Sequence, residues 1–138
     1  MVFVYFKRLH GHFTFLSSAL DGILKLRNDG ILHRYPSNRC EYNLESIKEL
    51  SYKIGEFVNH RPVPVLVKAD ELVILPIGAR ELLAKTDTCP YEKAVAYKIN
   101  TLVHQILIKF YIENDKPERP TKIFENLEDA IDWLKTFL

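Results

Sequence analysis

Cysteine is nearly absent from this chain: Cys40 and Cys89 are the only two in 138 residues, at no Cys-x-x-Cys spacing. Two are too few for a disulfide framework, so reduced intracellular thiols are expected. Glycine is scarce too. The five glycines are scattered singly, which excludes a glycine-rich loop of the kind that cradles a nucleotide phosphate. No block of one charge exists either: 19 Lys and Arg stand against 18 Asp and Glu, for a net charge of +1. Duplex binding leans on a clustered cationic face, so nucleic acid is not expected as a partner. Long hydrophobic runs are missing as well. Met1 to Phe6 is too short to cross a bilayer, and an apolar stretch followed by Lys7-Arg8 reverses the order of a signal peptide. A cytoplasmic protein with no transmembrane segment is the expectation, and its length suits one domain.

The stretch around which the chain is organised is Arg61 to Asp70, R-P-V-P-V-L-V-K-A-D. Its unbroken apolar centre predicts a strand covered on both faces, as in a parallel sheet packed by helices. Ahead of it, Val2 to Phe6 has strong strand propensity, and Phe13 and Phe15 alternate with His12 and Thr14. Residues 1–19 therefore read as an aromatic arm before a domain at 20–138. Ile23 to Tyr35 reads as a β-hairpin turning at Asn28-Asp29-Gly30. A two-residue turn sets Lys25 opposite Arg34, whereas a three-residue turn sets Leu26 opposite Leu32 and avoids the like-charge pair. The longer turn is expected.

Asn43 offers an N-cap to a helix striped by Leu44, Ile47, Leu50, Ile54, Phe57 and Val58, which stops before Arg61-Pro62. A second helix starts near Pro76 and runs to Lys85. Ala94 to Ile99 is a further buried strand. Asn100 or Thr101 caps an unusually apolar helix carrying Leu102, Val103, Ile106, Leu107, Phe110 and Tyr111, widened by Ile108 and Ile112. Thr121 to Phe124 is a short strand, and Asn126 caps a last helix on which Trp133 is expected to plug the sheet. A hairpin followed by helix, strand, helix, strand, helix, strand, helix defines an α/β fold: a mixed, largely parallel sheet with an N-terminal β-hairpin and about four helices.

The pattern D-G-I-L at Asp21, P-V-L-V at Pro64, A-V-A at Ala94 and K-I-F-E-N-L-E-D-A-I-D-W-L from Lys122 resembles bacterial STAS-like domains. These are related in fold to anti-sigma-factor antagonists and to CRAL-TRIO lipid carriers. The resemblance spans about Leu20 to Leu138 and implies the STAS-like scaffold. In the phospho-regulated antagonists a serine follows an aspartate just after the strand matched by Val65–Val67. Asp70 can be matched to that aspartate, but no Ser or Thr occurs before Thr86, so the resemblance does not bring the phosphorylation switch.

Other chemistry finds little support in the spacing. His10-x-His12 could offer two metal ligands, with Cys40 or His33 joining them, but nothing supplies a fixed third ligand, and neither metal nor cofactor is expected. Asp70 and Glu71 would point to opposite faces of a strand, poor geometry for acid–base work. His60 at a helix end reads as a cation favoured by the helix dipole. The leading expectation is a non-enzymatic regulatory or protein-interaction module, homodimeric through either the aromatic arm or the apolar helix Leu102 to Ile112, whose partner surface draws on Asp70, Glu71, Ile77, Arg80, Val103, Ile106 and Phe110. One alternative is a small carrier in which the apolar helix lines a pocket for a lipid or other apolar ligand. Another is an enzyme with a Cys/His site at Cys40 or Cys89. The deciding observation is what Val103, Ile106, Leu107 and Phe110 touch: a second protomer, a ligand cavity or their own sheet.

Overall fold

The computed structural model describes residues 3–9, 12–19, 22–36, 43–68 and 77–138, with strands one and two and Ile77 described by backbone alone. Seven strands form one sheet in sequential order: β1 (Phe3–Leu9), β2 (His12–Ala19), β3 (Gly22–Leu26), β4 (Leu32–Pro36), β5 (Val63–Lys68), β6 (Glu92–Lys98) and β7 (Thr121–Phe124). β1 to β4 pair antiparallel, and β4 to β7 pair parallel. Four α-helices accompany them: α1 (Leu44–Phe57), α2 (Ile77–Ala84), α3 (Leu102–Phe110) and α4 (Leu127–Lys135). This is the α/β fold with a mixed sheet and an N-terminal hairpin that the sequence pattern implies. Strands β1 and β2 extend the sheet beyond β3.

Local chemistry explains the boundaries. In the β3–β4 hairpin Leu26 lies across from Leu32, and Lys25 across from His33, away from Arg34. The three-residue turn is closed by the Arg27 amide donating to the Ile31 carbonyl at 3.0 Å, and Gly30 takes a φ of +94°, a conformation that suits glycine. At the start of α1 the Asn43 side chain accepts from the Ser46 amide (2.9 Å), while the Ser46 hydroxyl accepts from the Asn43 amide (2.8 Å). Thr101 caps α3, and Asn126 caps α4 by accepting from the Glu128 amide at 2.8 Å.

Alternation along β5 divides the core in two. Val65 and Val67 face α1, α2 and the segment after α3, in a cluster with Leu24, Leu32, Ile47, Leu50, Ile54, Leu83 and Val95. Leu66 points the other way, toward α4, with Ile31, Ala94, Ala96, Ala130 and Leu134. Each fully buried aliphatic side chain of β5 contributes about 1.5–3 kcal/mol, so this strand anchors both layers. The expected plug on α4 is corrected here. Trp133 is only half-buried, packed against the rim of the second cluster with Phe124 tilted and Phe137 edge-on to it, and the side chains removed from water are Ala130 and Leu134. Small Ala94 and Ala96 let α4 sit close to the sheet, which leaves the large indole at the rim.

Candidate interaction surface on α3

α3 begins where the Thr101 hydroxyl accepts from the His104 amide at 3.2 Å, and it ends in one π-helical turn, Tyr111–Asp115. Wide turns of this sort are rare and re-aim the side chains that follow. Tyr111 is buried and Ile112 packs against the first core cluster, so the C-terminal end of the element is tied to the body. The helix proper is turned the other way. His104 is its one buried residue. Leu102, Val103, Ile106, Leu107 and Phe110 are exposed by 69, 52, 58, 41 and 46%. The apolar stripe of a helix ordinarily faces the body of the protein. Here the side bearing His104 meets the body and the apolar stripe faces solvent.

Arg80 on α2 joins this surface. Its guanidinium lies 4.9 Å from the centre of the Phe110 ring, and its Nε is 3.4 Å from an Asp115 carboxylate oxygen. A cation over a ring face is worth about 0.5–2 kcal/mol depending on desolvation, enough to orient the aromatic ring. Lys109 and Glu113 form a second, outer pair at 3.9 Å. Of the residues expected to form a partner surface, Arg80, Val103, Ile106 and Phe110 therefore lie on or beside α3. Ile77 opens α2 but its side chain is outside the described residues, as are Asp70 and Glu71 altogether.

The residues weighed for catalysis are differently placed. Cys89 is buried, and burial first, then the Glu92 carboxylate, pushes its thiol up to about 12, the reverse of an activated nucleophile. Cys40 and the side chains of His10 and His12 lie outside the described residues. His33 is buried beside Tyr35, and burial, then Arg27, Lys25 and Lys68, lower it to about 4 despite the opposing influence of Asp29. It is a neutral imidazole at ordinary pH. His60 is exposed at the end of α1, 3.1 Å from Glu56 and 3.0 Å from the Tyr91 hydroxyl. Among the described residues no three His, Cys, Asp or Glu side chains form a metal-binding group. A cleft of about 440 Å³ opens at the carboxyl end of β6, lined by Lys98, Asn100, Thr101, Gln105 and Glu125 as well as Ile99 and Leu102. Lys98 is held there by the Ile99 carbonyl (2.8 Å) and the Asn100 side chain (2.9 Å). This opening is largely polar, and Val103, Ile106 and Phe110 do not line it.

One buried cluster has no counterpart in the sequence reading. The Glu92 carboxylate sits between Arg34 (3.3 Å) and Arg119 (3.7 Å), and Arg119 also donates to the Leu83 carbonyl at 2.7 Å. All three charged residues are more than nine-tenths buried. They fasten the loop before β7 to α2 and to strands β4 and β6. Single buried charges in separate elements leave no periodic signal.

A seven-stranded mixed sheet with helices on both faces makes this an α/β domain whose described residues include no helix long and apolar enough to cross a membrane. Residues 24–138 match the family described as a domain of unknown function, DUF7793, and the chain belongs to that family. No curated protein matches it. Among solved structures it is similar to an uncharacterized protein of the DUF3478 family with a SpoIIAA-like fold from Shewanella loihica PV-4. That protein is 17% identical, with a TM-score of 0.46, over 93% of this chain and 97% of the other.

Proposed function

We propose that the protein is a non-enzymatic, STAS-like regulatory module of the bacterial cytoplasm that acts through protein contact, as a homodimer joined on the outer face of α3. Residues 20–138 are the module in this reading, and residues 1–19 an arm on its sheet. The observation that carries the proposal is the inverted burial of α3, where a histidine faces inward and five large apolar side chains face water. Their exposed area is on the order of 500 Å², at the upper end of what a monomer leaves uncovered. Two such faces, with the Arg80, Lys109 and Glu113 margins included, approach about 1,000 Å², the lower bound for a specific interface. Charge favours a second copy as the occupant. The charged groups at the margin are already matched as Lys109–Glu113 and Arg80–Asp115, so two identical faces meet without net repulsion.

The carrier reading has less support, because these apolar side chains point to solvent while the neighbouring cleft is largely polar. The enzyme reading has less again, since Cys89 is buried with its thiol proton held tightly. Light scattering on the full chain tests the proposal. A solution mass near twice 16.1 kDa, returning to 16.1 kDa in Ile106→Glu, is the expected result. A monomeric mass for the unaltered chain at concentrations up to about 100 µM sinks the homodimer.

A further inference from the structure

We infer that the two copies meet in an antiparallel α3–α3 seam, with Val103 of one packed on the partner's Phe110 and Ile106 on the partner's Leu107; this rests on the homodimer reading above. A two-fold axis requires that when one residue meets another, the second meets the first in return. Four of the five exposed apolar residues, Val103, Ile106, Leu107 and Phe110, share one helical stripe and are symmetric about a point between Ile106 and Leu107, while Leu102 lies about a quarter turn away beside the polar cleft. An axis crossing the helix at that point closes the pattern on itself.

Side-chain size and charge select this arrangement over a parallel one. Antiparallel pairing sets the smallest of the four side chains against the largest at each end, and two similar aliphatic chains at the centre, so the layers interdigitate. Parallel pairing would set Phe110 on Phe110 and leave space between the two Val103 side chains. It would also bring each Lys109 and each Arg80 level with its own copy, and align the helix dipoles unfavourably. Arg80 already covers one face of the Phe110 ring at 4.9 Å and is itself steadied by Asp115. The uncovered part of the ring is left to receive the partner's Val103, so Arg80 is a positioning residue of the seam.

Disulfide trapping on the full chain, with Cys40→Ser to remove the other candidate thiol and the buried Cys89 retained, reads the geometry. The double variant Val103→Cys/Phe110→Cys is expected to give a covalent dimer on mild oxidation, with a linked peptide joining positions 103 and 110, and neither single variant is expected to do so. Single variants that link to themselves overturn the antiparallel seam while leaving the homodimer intact. Because removing the Phe110 ring could itself weaken association, spin labels placed singly at Glu113 and Gln105 supply a second reading with the four apolar side chains of the seam unaltered. Glu113 labels farther apart between copies than Gln105 labels support the seam; equal separations overturn it. A monomeric unaltered chain overturns both the seam and the reading beneath it.

Discussion

α3 and α4 are both nine-residue helices entered from an extended residue whose side chain caps the first turn, yet they sit in the protein in opposite senses. α4 has one apolar stripe. Ala130 and Leu134 are buried against Leu66, Ala94 and Ala96, while Glu128, Asp129, Asp132 and Lys135 face water. α3 has one too. The body takes the side bearing His104 and continues that contact through Tyr111 and Ile112, and the apolar side is left outside. Amphipathic contrast orients a helix because only one choice hides the apolar face. In α3 that preference is overridden, and the side turned inward is the one that leads into Tyr111 and Ile112.

Mutations should separate the two helices sharply. The largest effect is expected outside both helices, in the buried charged cluster that ties the loop before β7 to α2 and β6. Glu92→Ala leaves two buried guanidinium groups facing each other, and should cost about 3–5 kcal/mol in urea unfolding. An effect near zero would mean that water reaches the cluster and that the loop before β7 is not held by it. Next comes Leu134→Ala on α4, a fully buried site, at about 2–5 kcal/mol by the same measurement. Ile106→Ala on α3 should change the stability of the dissociated chain by less than about 0.5 kcal/mol while weakening self-association. If Ile106→Ala proves as costly as Leu134→Ala in a dilute, monomeric sample, the contrast between the helices is wrong.

Acid should act on the side of the sheet that α4 covers. His33 neighbours Leu66 across β4 and β5, and its folded value of about 4 lies below its ordinary 6.5. Between those values the unfolded chain binds the extra proton and the folded chain does not. Stability contributed by His33 is therefore fully present above pH 6.5 and lost as pH falls toward 4, by up to about 2–3 kcal/mol. His33→Phe should flatten the fall of the urea midpoint in that window, and an unchanged slope would remove His33 as its source. The smallest effects belong to the caps. Asn126→Ala should lower global stability by about 1 kcal/mol. Thr101→Ala should fray α3 and show up chiefly as faster amide exchange there and a weaker dimer.

Much of the fold was legible because local rules and the global structure agree. The β3–β4 register followed from avoiding a Lys25–Arg34 pair, and the starts of α1 and α4 from Asn43 and Asn126, while the start of α3 was narrowed to Asn100 or Thr101 and the cap is Thr101. The apolar run Val65–Val67 announced a strand buried on both faces. The candidate surface was half legible. Val103, Ile106 and Phe110 were visible as an apolar group, but their exposure was not, since periodicity is the same for a stripe facing in or out. Arg80 was grouped with them, whereas its seat over Phe110 and its Asp115 partner depend on the π-helical turn bringing a late segment back to α2. The importance given to Trp133 failed because size alone does not say how closely a helix approaches a sheet.

By itself the sequence determined which segments become strands and helices, how the hairpin turns and where helices begin, because those depend on contacts within a few residues. Tertiary structure alone decided that Glu92 gathers Arg34 and Arg119, that Leu134 and not Trp133 seals the second layer, and that α3 turns its apolar face outward. Each of these depends on the distance and fit between elements far apart in the chain, and such distances exist only once the sheet has assembled.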